Sequence, residues 1–132
     1  MRIVIIEDNP ADVRLFKEAL KFSGLDVELN HFPDGITAVA KLRSIEKPWN
    51  PSPDIVFLDL NMPRLSGFEV LEIIRGAPEC DGVRIVVFTS SQSPADAEKV
   101  ARLKADRFVR KLTELRALFA VISSTLRDLA AA

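Results

Sequence analysis

Asp54-Ile55-Val56-Phe57-Leu58-Asp59-Leu60-Asn61-Met62-Pro63 decides how the chain is read. The apolar run Ile55 to Leu58 predicts a strand buried on both faces, and Met62-Pro63 with Ser66-Gly67 supply the turn that ends it. Asp59 therefore stands where a buried strand opens into a loop. In an open parallel α/β sheet, ligands bind in the crevice outside the carboxyl ends of the strands, so a carboxylate there is placed for chemistry. Asp also caps turns at such points, and this strand alone leaves both roles open.

Outward from this stretch, strand and helix signals alternate. Arg2-Ile3-Val4-Ile5-Ile6 reads as a buried strand that delivers Glu7 and Asp8 at its end. Asn9 suits an N-cap and Pro10 a first helical position, and Val13, Phe16 and Leu20 keep helical spacing until Gly24. Asp26 to His31 alternates as a half-exposed edge strand. Pro33-Asp34-Gly35 then opens a second helix through Ile36, Val39, Ala40 and Leu42, and residues 47–53 form a proline-rich connection into the central strand. Beyond Asp59, Ser66 to Arg75 is a third helix with Phe68, Leu71 and Ile74 toward the sheet. Arg84 to Phe88 is a fourth strand ending in Thr89-Ser90-Ser91, and Ser93-Pro94 starts a fourth helix through Val100 and Leu103. Arg107 to Arg110 is a short strand ending at Lys111, and from Thr113 a last helix places Leu115, Leu118, Phe119, Ile122, Leu126 and Leu129 on one face.

Composition narrows the class. The 132 residues carry 18 basic and 19 acidic side chains, a net charge of -1, without a basic block of the kind nucleic-acid binding uses. No apolar run is long enough to span a bilayer, and the start carries no leader pattern. The single cysteine, Cys80, excludes an internal disulfide and suits a reducing compartment. These features predict one cytoplasmic domain over residues 1–132, with no output domain, no direct nucleic-acid contact and no membrane role.

Alternating strands and helices imply a parallel sheet covered on both sides by right-handed crossovers. If all the strands point one way, Glu7, Asp8, Asp59, Asn61, Thr89, Ser90 and Lys111 converge on one edge. Close carboxylates need a cation, and an all-oxygen set with few protein ligands suits Mg²⁺, which keeps several waters. A lysine and a hydroxyl beside them suit a phosphoryl group. The residues thus predict a magnesium-dependent phosphoryl site with Asp59 as the candidate nucleophile.

Glu7-Asp8, Asp59 within Phe57-Leu58-Asp59-Leu60-Asn61-Met62-Pro63, Thr89 and Lys111 resemble the signature of the receiver domain of two-component response regulators. The likeness covers essentially the whole chain. Each motif is weak alone; in order, each at a strand end, they are specific. The resemblance implies a flavodoxin-like, doubly wound five-stranded parallel sheet of order 2-1-3-4-5 flanked by five helices. It implies that Asp59 accepts a phosphoryl group from the phosphohistidine of a sensor histidine kinase or phosphotransfer protein. Mg²⁺ would be held by the carboxylates of Asp8 and Asp59, the backbone carbonyl of Asn61 and, through a bound water, Glu7. Thr89, with Ser90 beside it, and Lys111 would bind phosphoryl oxygens, Thr89 and Phe108 would act as the switch, and Asn61 and Ser91 would flank the path of the hydrolytic water.

Two departures bear on output. Leu112 follows Lys111 where most receivers have a cis proline, a form that other residues take only at a cost, so a differently shaped loop is expected. Lys104 stands where many receivers have glycine, so the fourth helix is expected to lack its left-handed stop. With the loop at 47–53, these features are similar to the small response regulators of phytochrome-type kinases, some of which self-associate through the fourth helix, fifth strand and fifth helix. A homodimer of that kind is the corresponding expectation. His31 reads as a solvated or hydrogen-bonded edge residue, Trp49 as a loop anchor, and Lys99, Arg102 and Arg116 as a solvated face. Two other classes compete: a degenerate receiver that binds without phosphorylation, and a phosphohydrolase of the haloacid-dehalogenase type. The latter expects an Asp-x-Asp pair on its first strand, which this chain lacks.

Overall fold

Five strands lie parallel in the order β2-β1-β3-β4-β5 in a computed structural model that describes residues 1–44 and 52–131. The strands are β1 (Arg2–Ile6), β2 (Glu28–Phe32), β3 (Ile55–Leu58), β4 (Arg84–Thr89) and β5 (Arg107–Arg110). The helices are α1 (Pro10–Ser23), α2 (Gly35–Leu42), α3 (Gly67–Arg75), α4 (Pro94–Arg102) and α5 (Leu115–Ala131), with a short 3-10 turn at Pro78–Cys80. The fold and strand order are those expected. Trp49 and residues 47–51 of the proline-rich connection lie outside the described residues.

Strand periodicity divides the core in two. Ile3, Ile5, Ile55, Phe57, Val86 and Phe88 face α1 and α5, where Phe16, Leu20, Leu118, Ile122 and Leu126 meet them. Val4, Ile6, Val56, Leu58, Ile85 and Val87 face α2, α3 and α4, against Val39, Leu42, Val70, Leu71, Ile74 and Val100. Burying each such side chain contributes about 1.5–3 kcal/mol, so the three central strands are fixed from both sides. Pairing of Ile6 with Leu58, and of Leu58 with Val87, aligns the ends of β1, β3 and β4.

Helix ends follow local chemistry. The Asn9 side chain caps α1 by accepting from the Ala11 and Asp12 amides, and Gly24, at φ 72°, closes it. Ser66 and Glu69 form a reciprocal capping box on α3, so Ser66 is the cap and the helix proper begins at Gly67. The last helix starts at Leu115 instead of Thr113, because the Glu114 carboxylate accepts from the Arg116 and Ala117 amides. The edge strand is offset from its expected Asp26–His31 span, since β2 pairs with β1 from Glu28 to Phe32.

Several side-chain assignments change. On α2 Ala38 is buried while Ile36 is exposed, and on α3 Val70 is fully buried while Phe68 is partly covered and carries the Lys99 ammonium 4.3 Å above its ring. Leu115 is exposed and Phe119 lies at the core margin, its ring centroid 5.5 Å from that of Phe22 and tilted by 41°. Lys104 does not deprive α4 of its left-handed stop. It adopts that conformation itself, at φ 68°, and the Lys104 and Ala105 amides return to the Ala101 and Val100 carbonyls. The Arg75 guanidinium holds this turn, donating to the Lys104 and Val83 carbonyls and to Asp106.

Candidate functional site

Ladder hydrogen bonds carry past the strand ends and place the polar residues. The Asp59 amide donates to the Ile6 carbonyl at 3.2 Å, the Glu7 amide to Phe32 at 3.1 Å, and the Lys111 amide to Thr89 at 2.7 Å. Glu7 is 1% exposed and Asp59 6%, whereas Asp8 faces solvent. Each of these three acids brings a carboxylate oxygen within 4.8 Å of the others.

Lys111 enters this cluster from the far edge of the sheet. Its ammonium donates to Glu7 Oε1 and, at 2.8 Å, to Asp12 Oδ2, and it lies 3.4 Å from Asp59 Oδ2. The other Glu7 oxygen accepts from the Asp8 and Asn9 amides at 3.1 and 3.4 Å. Asp59 Oδ1 accepts from the Asn61 amide at 3.3 Å. Behind the cluster the His31 ring sits 2.8 Å from the Glu7 carbonyl; a carbonyl only accepts, so Nε2 carries the proton.

Charge is unbalanced here. Burial pushes the Glu7 carboxyl up to about 8, Lys111 opposes that rise, and the neighbouring Asp59 adds to it. Burial alone would lower the pKa of Lys111, but its hydrogen bonds to Asp12 and Glu7 and the charge of Asp59 outweigh it and raise the value. Among the described residues, Glu7, Asp12 and Asp59 thus share Lys111, with the Asp8 carboxylate beside Glu7 and Asp59. An all-oxygen cluster short of positive charge fits a divalent cation, and its donors suit a hard ion.

The remaining expected residues lie around this cluster. Thr89 is fully buried at the end of β4, and its hydroxyl accepts from the Ser91 amide at 3.3 Å. Ser91 in turn donates through its hydroxyl to Asp96 of α4 at 2.6 Å. Ser90 and Asn61 are exposed on their loops. Phe108, paired with Val87, is partly buried against the α2–α3–α4 core. Asp12 is the residue that reading the sequence missed: an acid in a helix's first turn is explained by the helix dipole, and nothing local points to a partner far along the chain.

The profile of the response regulator receiver domain matches residues 3–123. Response regulator Rcp1 of Synechocystis is 36% identical over 121 residues, covering 91% of this chain and 82% of that protein. The crystal structure of its Mn²⁺-bound form superposes with a TM-score of 0.81 at 33% identity, over 93% of this chain and 89% of that one. The phosphorylated cyanobacterial phytochrome response regulator RcpA gives a TM-score of 0.82 at 32% identity, over 94% and 89% of the two chains. The bacteriophytochrome response regulator AtBRR gives 0.74 at 31% identity, over 92% and 89%. On this fold and these matches, the chain belongs to the response regulator receiver domain family.

Proposed function

We propose that the protein is a phosphorylatable receiver that takes a phosphoryl group on Asp59 from the phosphohistidine of a sensor kinase, of the phytochrome type, or of a phosphotransfer protein. The carrying observation is Asp59 itself, buried at the end of β3 with Lys111 at 3.4 Å and the Glu7 and Asp8 carboxylates beside it. Cytoplasmic location belongs to the same reading; no helix among the described residues is long and apolar enough to cross a membrane.

The residues divide the work. Glu7, Asp8, Asp59 and the Asn61 carbonyl would hold Mg²⁺, and the existence of an Mn²⁺-bound form of Rcp1 supports binding of a divalent ion. When bound, the cation neutralises the charge between an anionic nucleophile and an anionic phosphoryl group. The Asn61 amide orients Asp59 through Oδ1, which fixes the direction of in-line attack. The acyl phosphate forms as Asp59 bonds to phosphorus and the histidine nitrogen leaves with its bonding pair. Lys111 then pairs with one phosphoryl oxygen, while Thr89 and Ser90 donate to the others. Drawing the Thr89 hydroxyl inward releases Ser91, whose other bond runs to Asp96, so the shift reaches α4 and the ring of Phe108 fills the space left behind.

Exposed Leu115 at the start of α5 supports a homodimer through α4, β5 and α5. Sedimentation of a Leu115→Lys variant tests it, with a shift toward monomer expected. Intact-mass spectrometry after acetyl phosphate treatment tests the chemistry. One phosphoryl adduct, dependent on Mg²⁺ and absent from Asp59→Asn, is expected. No adduct in the wild type while an ordinary receiver is labelled would favour a binding module that works without phosphorylation.

A further inference from the structure

Asp12 occupies the third position of α1, where an acid ordinarily turns back to the amide of the N-cap residue. Glu69 does this at the equivalent point of α3, completing the box with Ser66. In α1 the Asn9 amide is engaged by Glu7 Oε2, and the Asp12 carboxylate faces the sheet edge and accepts from Lys111 at 2.8 Å. The Asp12 side chain is 29% exposed and that of Lys111 12%, so the pair lies at the rim of the site with Glu7 and Asp59 behind it.

An ammonium has three hydrogens. Here one goes to Glu7 and one to Asp12, and Asp59 stands beyond good hydrogen-bonding distance at 3.4 Å. Without Asp12, the nearest free carboxylate oxygen for the released hydrogen is that of Asp59, and a closed Lys111–Asp59 pair would compete with both cation and phosphoryl donor.

We propose that Asp12 is a positioning residue: it holds Lys111 beside, and not upon, the Asp59 carboxylate, keeping the nucleophile open to the cation while leaving the ammonium within reach of the phosphoryl group. This rests on the receiver chemistry proposed above. When Glu7 turns to the cation, Asp12 is the acceptor outside the metal-binding set that still holds Lys111.

The test is a double-mutant cycle read by Mg²⁺ calorimetry and by the rate of adduct formation from acetyl phosphate, with thermal melts confirming the fold. Asp12→Ala should weaken Mg²⁺ binding by about tenfold, the scale of a lost charge-assisted hydrogen bond, and slow labelling at limiting Mg²⁺. Asp12→Asn, which keeps an acceptor oxygen without the charge, should recover most of the loss. In a Lys111→Met background Asp12→Ala should change the Mg²⁺ midpoint by less than about twofold, because Asp12 acts through the lysine. Three results overturn the proposal: wild-type behaviour in Asp12→Ala, Asn and Ala variants equally impaired, or an undiminished effect in the Lys111→Met background. The last two would show a through-space charge effect. Absence of Mg²⁺ binding in the wild type overturns it as well. If the wild type binds Mg²⁺ but forms no adduct, the receiver chemistry fails while calorimetry still decides the role of Asp12.

Discussion

The carboxyl ends of β1 and β3 and the α4–β5 side of the molecule are built to opposite standards. Glu7 and Asp59 extend from strands buried on both faces, and their amides continue the sheet ladder. On α4, Val100 is the buried residue, and the turn that follows depends on the left-handed Lys104 and on Arg75 reaching across from α3. The proposed phosphoryl chemistry, which needs close placement, sits on the firm part, and the surface proposed to respond sits where few apolar contacts hold it. The Thr89 hydroxyl accepts from the Ser91 amide and the Ser91 hydroxyl donates to Asp96, which links the end of β4 to α4.

The largest expected effect breaks the firm side. A Cβ on Gly67 would stand 2.2 Å from the Asp59 carbonyl oxygen and 2.6 Å from Leu60 Cα, both backbone atoms that cannot turn away. Gly67→Ala should therefore destabilise by about 3 kcal/mol or more in urea titration and displace the β3–α3 loop, abolishing the phosphoryl adduct. A soluble variant labelled at the wild-type rate would show that the loop is less rigid than described.

On the α4–β5 side, Arg75→Ala takes the guanidinium from the Lys104 and Val83 carbonyls and leaves Asp106 with the Ile85 amide at 2.7 Å. A loss of about 2 kcal/mol is expected, with hydrogen exchange rising first in the α4–β5 turn and labelling of Asp59 changed little. Equal loss of protection across β1 and β3 would erase the contrast between the two regions.

A pH series sharpens it further. Glu7 binds its proton more tightly in the folded chain, where the carboxyl is pushed up to about 8 by burial, than in the unfolded chain at 4.5. Its contribution to stability is complete below about pH 4.5 and is lost as pH rises toward about 8. Relative to Glu7→Gln, the wild type should lose roughly 1 kcal/mol per pH unit between pH 5 and 8 in metal-free thermal or denaturant unfolding, and Mg²⁺ should reverse the loss. Parallel curves for the two proteins would mean that Lys111 compensates Glu7 completely.

The smallest effect is a gain. Lys104→Gly relieves a left-handed non-glycine residue and should stabilise by about 0.5–1 kcal/mol, without change in labelling. A loss instead would place the value of Lys104 in its side chain.

Much of this was written locally. Four apolar residues followed by Asp59 and a Met-Pro turn marked both a central strand and its functional end, because a strand buried on two faces has a composition of its own. Asn9-Pro10 and Ser93-Pro94 announced the starts of α1 and α4, since a cap needs only the next few amides. Ile36, Phe68 and Leu115 were placed inward by helical spacing, and the structure leaves them exposed or partly covered. Spacing defines a face but not how far the neighbouring layer extends over it.

The sequence by itself determined the order of elements, the sheet's two-sided core and the acids, hydroxyl and lysine at the strand ends, because each is a property of a few adjacent residues. Tertiary structure alone decided which groups touch. Lys111 meets Glu7 across 104 positions and Asp12 across 99, and Arg75 meets Asp106 across 31. Such pairs carry no local pattern; parallel strands and crossover helices bring them together, and with them the charge imbalance of the site.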